Sequence, residues 1–315
     1  MTDKLHGAVV VITGASSGIG RVTAQMFATR GAKLVLAARD RSALEEVARL
    51  CDDRGAQTLV VPTDIKDESQ VTALSDAAVQ RFGGIDVWIN NAAVSLMGPF
   101  ECVPTPEIRA VLDTNIMGTV HGTKAALSHF RQRGRGTVIT VGSVAGKVPY
   151  PQASAYCASK HAIHALMAAI RQELVGSKID VCVVAPATVD TPFFDHLANY
   201  TGRQIRAMPP VYRPERVARA IVNCAEHPRR EVFVGAAPVL MSLSQVLTPW
   251  LFERVLPRLI DRLHLGRYGA PVTKGNLEHS TQPHAERAGW KEGRRDTAER
   301  FAPPAPTPQL VPQLG

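Results

Sequence analysis

The sequence predicts an α/β fold: a doubly wound, seven-stranded parallel sheet flanked by helices, followed by a C-terminal amphipathic helical extension. Three observations carry this. Through the first 235 residues, short Val- and Ile-rich runs alternate with longer segments of helical spacing, the pattern of repeated strand–helix units. The runs are apolar almost throughout rather than at every second residue, as strands covered on both faces require. The first run also leads directly into a glycine-rich turn and then a helical pattern, the order in which a doubly wound sheet presents a phosphate-binding turn.

The predicted strands cover 8–13, 33–38, 58–62, 85–90, 137–141, 179–184 and 231–234. A helix is expected over 19–30, where Val22, Met26 and Phe27 form an apolar stripe and Gly31 supplies the stop,. Another covers 154–175, with Ala158, Ala162, Ala165, Leu166 and Ala169 making a small-residue face. Residues 1–235 therefore form the expected catalytic domain and 236–268 the helical extension. Within 239–265, Leu243, Leu247, Leu251, Val255, Leu259 and Leu263 recur every four residues, while Arg254, Arg258, Asp261 and Arg262 occupy another face,. Pro249 and Pro257 should start or kink turns there. Residues 269–315 are polar and then proline-rich, which predicts a largely disordered tail.

Composition narrows the function classes. The chain has 315 residues, 45% of them hydrophobic, enough for a sizeable core,. Its net charge is +8, but Lys and Arg are scattered, with no basic block and no nucleic-acid motif, so a solvated basic surface is the reading. Cys51, Cys102, Cys157, Cys182 and Cys224 lie far apart without metal-ligand spacing; no metal site is expected, and reduced thiols in the cytoplasm are. The N-terminal apolar run enters the glycine turn directly, unlike a secretion signal, and no apolar run is long enough to span a bilayer.

The turn reads Thr13-Gly14-Ala15-Ser16-Ser17-Gly18-Ile19-Gly20. Glycines there let the backbone approach a diphosphate, and the following helix N-terminus offers unpaired N–H groups. At the end of the second strand, where an acidic residue would select NAD(H), stand Ala38 and Arg39,. Without a carboxylate to repel a 2′-phosphate, and with a guanidinium fork to hold one, NADP(H) is favoured over NAD(H).

Tyr156 and Lys160 are four residues apart on a predicted helix, hence on one face,. A neighbouring ammonium should stabilise the phenolate and make the tyrosine a usable proton shuttle. Ser143 lies thirteen residues upstream at the end of the fifth predicted strand. Asn115 sits in a predicted helix, and Asn90-Asn91-Ala92-Ala93 ends the fourth strand on the same sheet edge as the glycine turn,.

Together these motifs resemble the short-chain dehydrogenase/reductase family in its single-domain, Rossmann-like form, over roughly residues 5–235. The resemblance implies an oxidoreductase in which Tyr156 protonates the substrate oxygen as hydride leaves the nicotinamide. By the same likeness Lys160 lowers the tyrosine pKa and binds the nicotinamide ribose, Ser143 polarises the carbonyl, and Asn115 holds a water linking Lys160 to solvent. Gly14, Ser16, Ser17, Gly18, Ile19 and Gly20 would cradle phosphates, with Arg39 at the 2′-phosphate. Asp64 would contact the adenine and Asn90 the adenosine side, while Ile65 and Ala92 complete that set. Pro186, Val189 and Thr191 would hold the carboxamide. Ala187 replaces the family's glycine after Pro186.

Residues 190–212 should form a substrate lid, and Phe193, Phe194, Leu197, Tyr200 and Met208 with Leu96, Met97, Val148 and Tyr150 suggest a pocket for a hydrophobic carbonyl or secondary alcohol, or else lid packing. The expected partners are that small molecule and further copies of the chain, as homodimer or homotetramer, with no nucleic acid. Residues 240–265 could meet a membrane surface, a second subunit or their own domain. Two alternatives stay open: another reaction on the same scaffold, such as epimerisation or dehydration, and a non-catalytic NADP(H) sensor.

Overall fold

The computed structural model describes residues 4–235, 244–245 and 247–292. In chain order, β1 (Val9–Thr13), α1 (Gly18–Ala28), β2 (Lys33–Ala38), α2 (Arg41–Asp52), β3 (Gln57–Pro62), α3 (Glu68–Phe82) and β4 (Val87–Asn90) build the first half. A short β5 (Leu96–Met97) and α4 (Thr105–Leu112) lead through a π-turn at Asp113–Met117 into α5 (Gly118–Arg133), β6 (Arg135–Val141), α6 (Ser154–Glu173) and β7 (Lys178–Pro186). Then come α7 (Phe193–His196), β8 (Ala198–Asn199), β9 (Arg203–Ile205), α8 (Pro214–Glu226), β10 (Glu231–Val234), α9 (Pro249–Leu263) and β11 (Leu265–Gly269).

Seven strands form one sheet in the order β10-β7-β6-β4-β1-β2-β3, parallel throughout. The seven strands are those read from the apolar runs, with ends moved by one or two residues. β5 was not foreseen; it pairs with β8 outside the main sheet. Both faces of the sheet are covered: Ile12, Leu34, Leu36 and Ile89 pack under α1, α2 and α8, and Val11, Val35, Trp88 and Val138 under α3, α5 and α6. Double burial is why these strands read as unbroken apolar runs. The chain direction reverses its order at β1 and β4, so their carboxyl ends open the crevice in which such sheets bind ligands.

The C-terminal part departs from expectation twice. The proposed apolar stripe of the extension faces outward: Leu247, Leu251, Val255 and Leu259 are 40–68% exposed, while the buried residues of α9 are Leu256 and Ile260, one position further on. A four-residue repeat names a face but not which of two apolar faces meets the domain. Leu243 lies outside the described residues. Second, residues 269–292 are seated on the domain instead of disordered: Leu277 is fully buried, in a cluster with Val94, Leu96 and Val111. A segment with few apolar residues can be held by one buried anchor and by backbone hydrogen bonds, which a polar composition does not reveal. Residues 293–315, with the proline-rich end, lie outside the described residues. Among the described residues no helix is long and apolar enough to cross a membrane.

His264, just after α9, packs edge-on against Tyr150 and Phe194 at 6.2 and 5.7 Å between ring centroids, and its Nδ1 faces the Arg206 carbonyl. Burial brings its pKa from 6.5 down to about 4. The unfolded chain therefore binds one more proton than the fold between those values, and stability falls as the pH drops through that window. The loss should amount to roughly 3 kcal/mol. Urea unfolding from pH 7 to 4 should show a shallower acid loss for His264→Gln than for the wild type; parallel curves would dismiss this role.

Candidate active site

The glycine turn is fixed by the end of β4. Thr13 Oγ1 donates to the Ile89 carbonyl at 3.2 Å and accepts from the amides of Asn91 and Ala92 at 3.0 and 3.2 Å. Asn91 Nδ2 donates to the carbonyls of Thr13 and Gly14 at 2.9 and 3.1 Å. Gly14 and Gly18 have φ of +67° and +52°, angles that side chains oppose. A Cβ on Gly20 would lie 2.2 Å from the Gly14 carbonyl oxygen, so Gly20 packs behind the loop while Gly14, Ser16, Ser17, Gly18 and Ile19 line the cleft. Arg39, Asp64, Ile65, Ala92, Pro186, Val189 and Thr191 line the same cavity, of about 280 Å³.

Asn90 does not. It is buried, accepting from Trp88 Nε1 at 2.8 Å and donating to Thr123 Oγ1 at 3.0 Å, so it ties β4 to α5 from behind the cleft. The contact that shapes the loop belongs to Asn91, which the sequence reading leaves without a role. Two adjacent asparagines look equivalent in a sequence, but strand alternation sends them to opposite sides.

The catalytic candidates converge through the π-turn. Gly118 N–H bonds to the Asp113 carbonyl, five residues back, a widening found often at functional sites. It turns Asn115 inward. Asn115 Oδ1 accepts from Val94 N, and Nδ2 donates to the Val94 carbonyl and to Ser159 Oγ, all at 2.9 Å. Ser159 Oγ in turn donates to the Tyr156 carbonyl at 2.8 Å. Both amide hydrogens of Asn115 are thus engaged in joining the loop after β4 to the catalytic turn of α6. The side chain does not line the cleft; its hydrogen bonds position the loop and the turn.

Tyr156, Lys160 and Ser143 do line the cleft. Lys160 Nζ donates to the Val141 carbonyl at 2.9 Å and lies 5.7 Å from the centroid of the Tyr156 ring. Burial brings Lys160 down to about 8. Burial likewise pushes Tyr156 up to about 12, only partly offset by the nearby Ser143 hydroxyl. Removal from water acts on each of the two groups against its charged form.

The substrate side is apolar. Val148, Tyr150, Phe193, Phe194 and Met208 line it, and Phe193 stands 5.8 Å from the Tyr156 ring between centroids. Met97 and Leu197 are packing residues in the cluster around Tyr156, and Leu96 and Tyr200 belong to the cluster that holds Leu277. Residues unforeseen by the sequence reading complete the walls: Leu256, Ile260 and His264 from the extension, and Asn276, Ser280, Thr281 and His284 beyond it. The i, i+4 spacing of Leu256 and Ile260 was a usable signal; the polar C-terminal residues gave none. Among the described residues no group of three His, Cys, Asp or Glu side chains is placed to hold a metal.

These residues fit a dinucleotide. The cradle is closed to side chains, since a Cβ on Gly14 would lie 2.7 Å from Ala92 Cα and one on Gly18 3.1 Å from Thr191 Cβ. Thr114 Oγ1, beside the cleft, is buried without a hydrogen-bond partner.

The comparisons agree with this geometry. The pattern of the family described as short chain dehydrogenase matches residues 8–200. An uncharacterized oxidoreductase of Bacillus subtilis, YxnA, is 38% identical over 263 residues, 82% of this chain and 73% of that protein. A short chain dehydrogenase/reductase from Burkholderia phymatum, solved in complex with NAD, superposes with a TM-score of 0.72 at 28% identity, covering 80% of this chain and 96% of that one. An alcohol dehydrogenase from Thermococcus sibiricus, solved with 5-hydroxy-NADP, gives 0.65 at 26% identity over 72% and 96%. With its nucleotide-binding sheet edge and its Tyr156–Lys160 pair beside Ser143, this chain belongs to the short-chain dehydrogenase/reductase family and is an oxidoreductase acting on CH–OH or C=O groups.

Proposed function

We propose that the protein is an NADP(H)-dependent reductase or dehydrogenase of hydrophobic ketones, aldehydes or secondary alcohols. The single observation that carries the reading is that Tyr156, Ser143 and Lys160 line the junction between the glycine-loop cleft and an apolar wall of Phe193, Phe194, Tyr150 and Val148. The nicotinamide supplies or takes the hydride. Ser143 and Tyr156 present two hydroxyls toward one side of the cleft, Ser143 to orient a carbonyl oxygen and Tyr156 to give it a proton in reduction. Lys160, held by Val141, offers its remaining ammonium hydrogens to the cleft. Asn115 fixes the turn that carries Tyr156. Apolar walls favour a substrate whose carbonyl is flanked by hydrocarbon, since burial of that surface drives binding.

NADP(H) selection rests on the end of β2. No carboxylate stands at Ala38, and Arg39 lines the cleft. Three hydrogen bonds engage its guanidinium, whose five N–H groups leave capacity for phosphate oxygens.

The outward face of α9 supports a second, separate reading. Leu247, Trp250 and Val255 are 68%, 62% and 50% exposed, on a segment that also carries Arg254, Arg258 and Arg262. An apolar face rimmed by arginines suits an anionic membrane surface.

Three measurements test these readings. Tyr156→Phe should lower kcat by about 10²–10⁴-fold in reduction of a hydrophobic carbonyl followed by NADPH absorbance, with NADPH affinity kept; surviving turnover would dismiss Tyr156 as the acid. Arg39→Ala should raise the KM for NADPH about 10- to 100-fold and that for NADH far less. Equal loss for both would remove the 2′-phosphate role. Leu251→Asp combined with Val255→Asp should abolish flotation with phosphatidylserine vesicles; if the wild type fails to float, or the variant floats as well as the wild type, the membrane reading ends.

A further inference from the structure

Residues 276–290 cross the mouth of the nucleotide cleft and are fastened on both banks. On the β2 bank, Arg39 Nη2 donates to the carbonyls of Asn276 and His279 at 2.8 and 3.4 Å, and Nη1 to that of Glu278 at 3.0 Å. His284 Nε2 stands 3.1 Å from Asp40 Oδ2. On the glycine-loop bank, the Gly18 amide and Ser17 Oγ both donate to the Ala285 carbonyl, at 2.8 and 3.0 Å. Gln25 Nε2 donates to Glu286 Oε1 at 2.6 Å, and Trp290 N donates to the buried Asp190 at 2.8 Å. Two of the anchors, Gly18 and Arg39, belong to the groups assigned to the phosphates.

The inner side of this segment carries polar atoms with nothing to bond. Asn276 Oδ1, Thr281 Oγ1 and His284 Nδ1 are buried and lack hydrogen-bond partners, and all three residues line the same cavity as Gly14, Ser16 and Arg39. The His284 side chain is only 7% exposed. Buried polar atoms without partners are costly, and a row of them in a segment so well anchored elsewhere marks a place where a polar ligand completes the bonding. With His284 Nε2 facing Asp40, Nδ1 of the neutral ring is an acceptor; Asn276 Oδ1 is another, and Thr281 Oγ1 both donates and accepts. Such a set matches the donor hydroxyls of a ribose and an adenine amino group, with Thr281 able to donate to a phosphate oxygen. The cleft floor beneath is the glycine loop and the end of β2, so the matching part of a dinucleotide is its adenosine-phosphate half.

We propose that residues 276–290 are a strap that forms the outer wall of the cofactor site, bonding the adenosine-phosphate half through Asn276, Thr281 and His284 and gating its exchange. This rests on the dinucleotide reading given above. The strap lies outside the segment matched by the family pattern. A phosphate that takes the Gly18 N–H releases the Ala285 carbonyl, and the Arg39, Gln25 and Asp190 anchors then hold the strap over the bound dinucleotide, which leaves over this edge only when they open. Cofactor release is therefore coupled to the strap rather than to the substrate lid alone.

Hydrogen exchange of the full chain, with and without saturating NADPH and with adenosine 2′,5′-bisphosphate as a probe lacking nicotinamide, tests this directly. Both ligands should slow exchange of amides in 276–290 about tenfold or more, along with those of 14–20. Protection of 14–20 with exchange in 276–290 unchanged or faster would overturn the strap while leaving the cofactor reading intact. No protection at 14–20 by NADPH or NADH would remove the cofactor reading and the strap with it. As a second measurement, Thr281→Ala combined with His284→Ala should release NADPH about tenfold faster in a stopped-flow displacement experiment, and an unchanged rate would also overturn the proposal.

Discussion

The close approach of the glycine turn to the end of β4 is the constraint on which the site depends. Thr13 and Asn91 stitch the two strand ends together with five hydrogen bonds, and Gly20 rests against the Gly14 carbonyl with no room for a side chain. This contact sets where α1 begins, and hence where its first N–H groups and positive end point. It also places β1 and β4 side by side at the point where strand order reverses, so one tight backbone junction creates both the crevice and its affinity for anions.

A second junction serves the chemistry. The π-turn brings Asn115 between the loop after β4 and α6, and its bonds to Val94 and Ser159 hold the backbone that carries Tyr156. Tyr156 and Lys160 are then buried by the surrounding apolar groups. Burial raises the tyrosine and lowers the lysine, each against its charged form. Acidity at this site is set by exclusion of water as well as by the spacing of the two residues.

The extension changes the character of the cleft. Leu256 and Ile260 lengthen the apolar wall and the strap covers the opposite end, while Trp250, Leu251, Val255 and Leu259 of α9 are left facing outward. One helix thus contributes to a pocket on one side and offers a surface on the other. A cleft walled by residues outside the sheet can change its cofactor retention without altering any residue of the core.

The sequence by itself determined the sheet, because strands buried on both faces must be apolar along their length, and it determined the glycine turn and the Tyr156–Lys160 face, because these rest on local geometry. Only the tertiary structure decided between Asn90 and Asn91, placed Asn115 between the loop after β4 and α6, and chose Leu256 and Ile260 over the neighbouring stripe. It also seated residues 269–292 across the cleft. In each case the outcome hangs on contacts between segments distant in the chain, such as Arg39 with Asn276 or Gly18 with Ala285. Backbone carbonyls serve as the acceptors in both, and every residue carries one, so residue identity leaves no trace of the pairing.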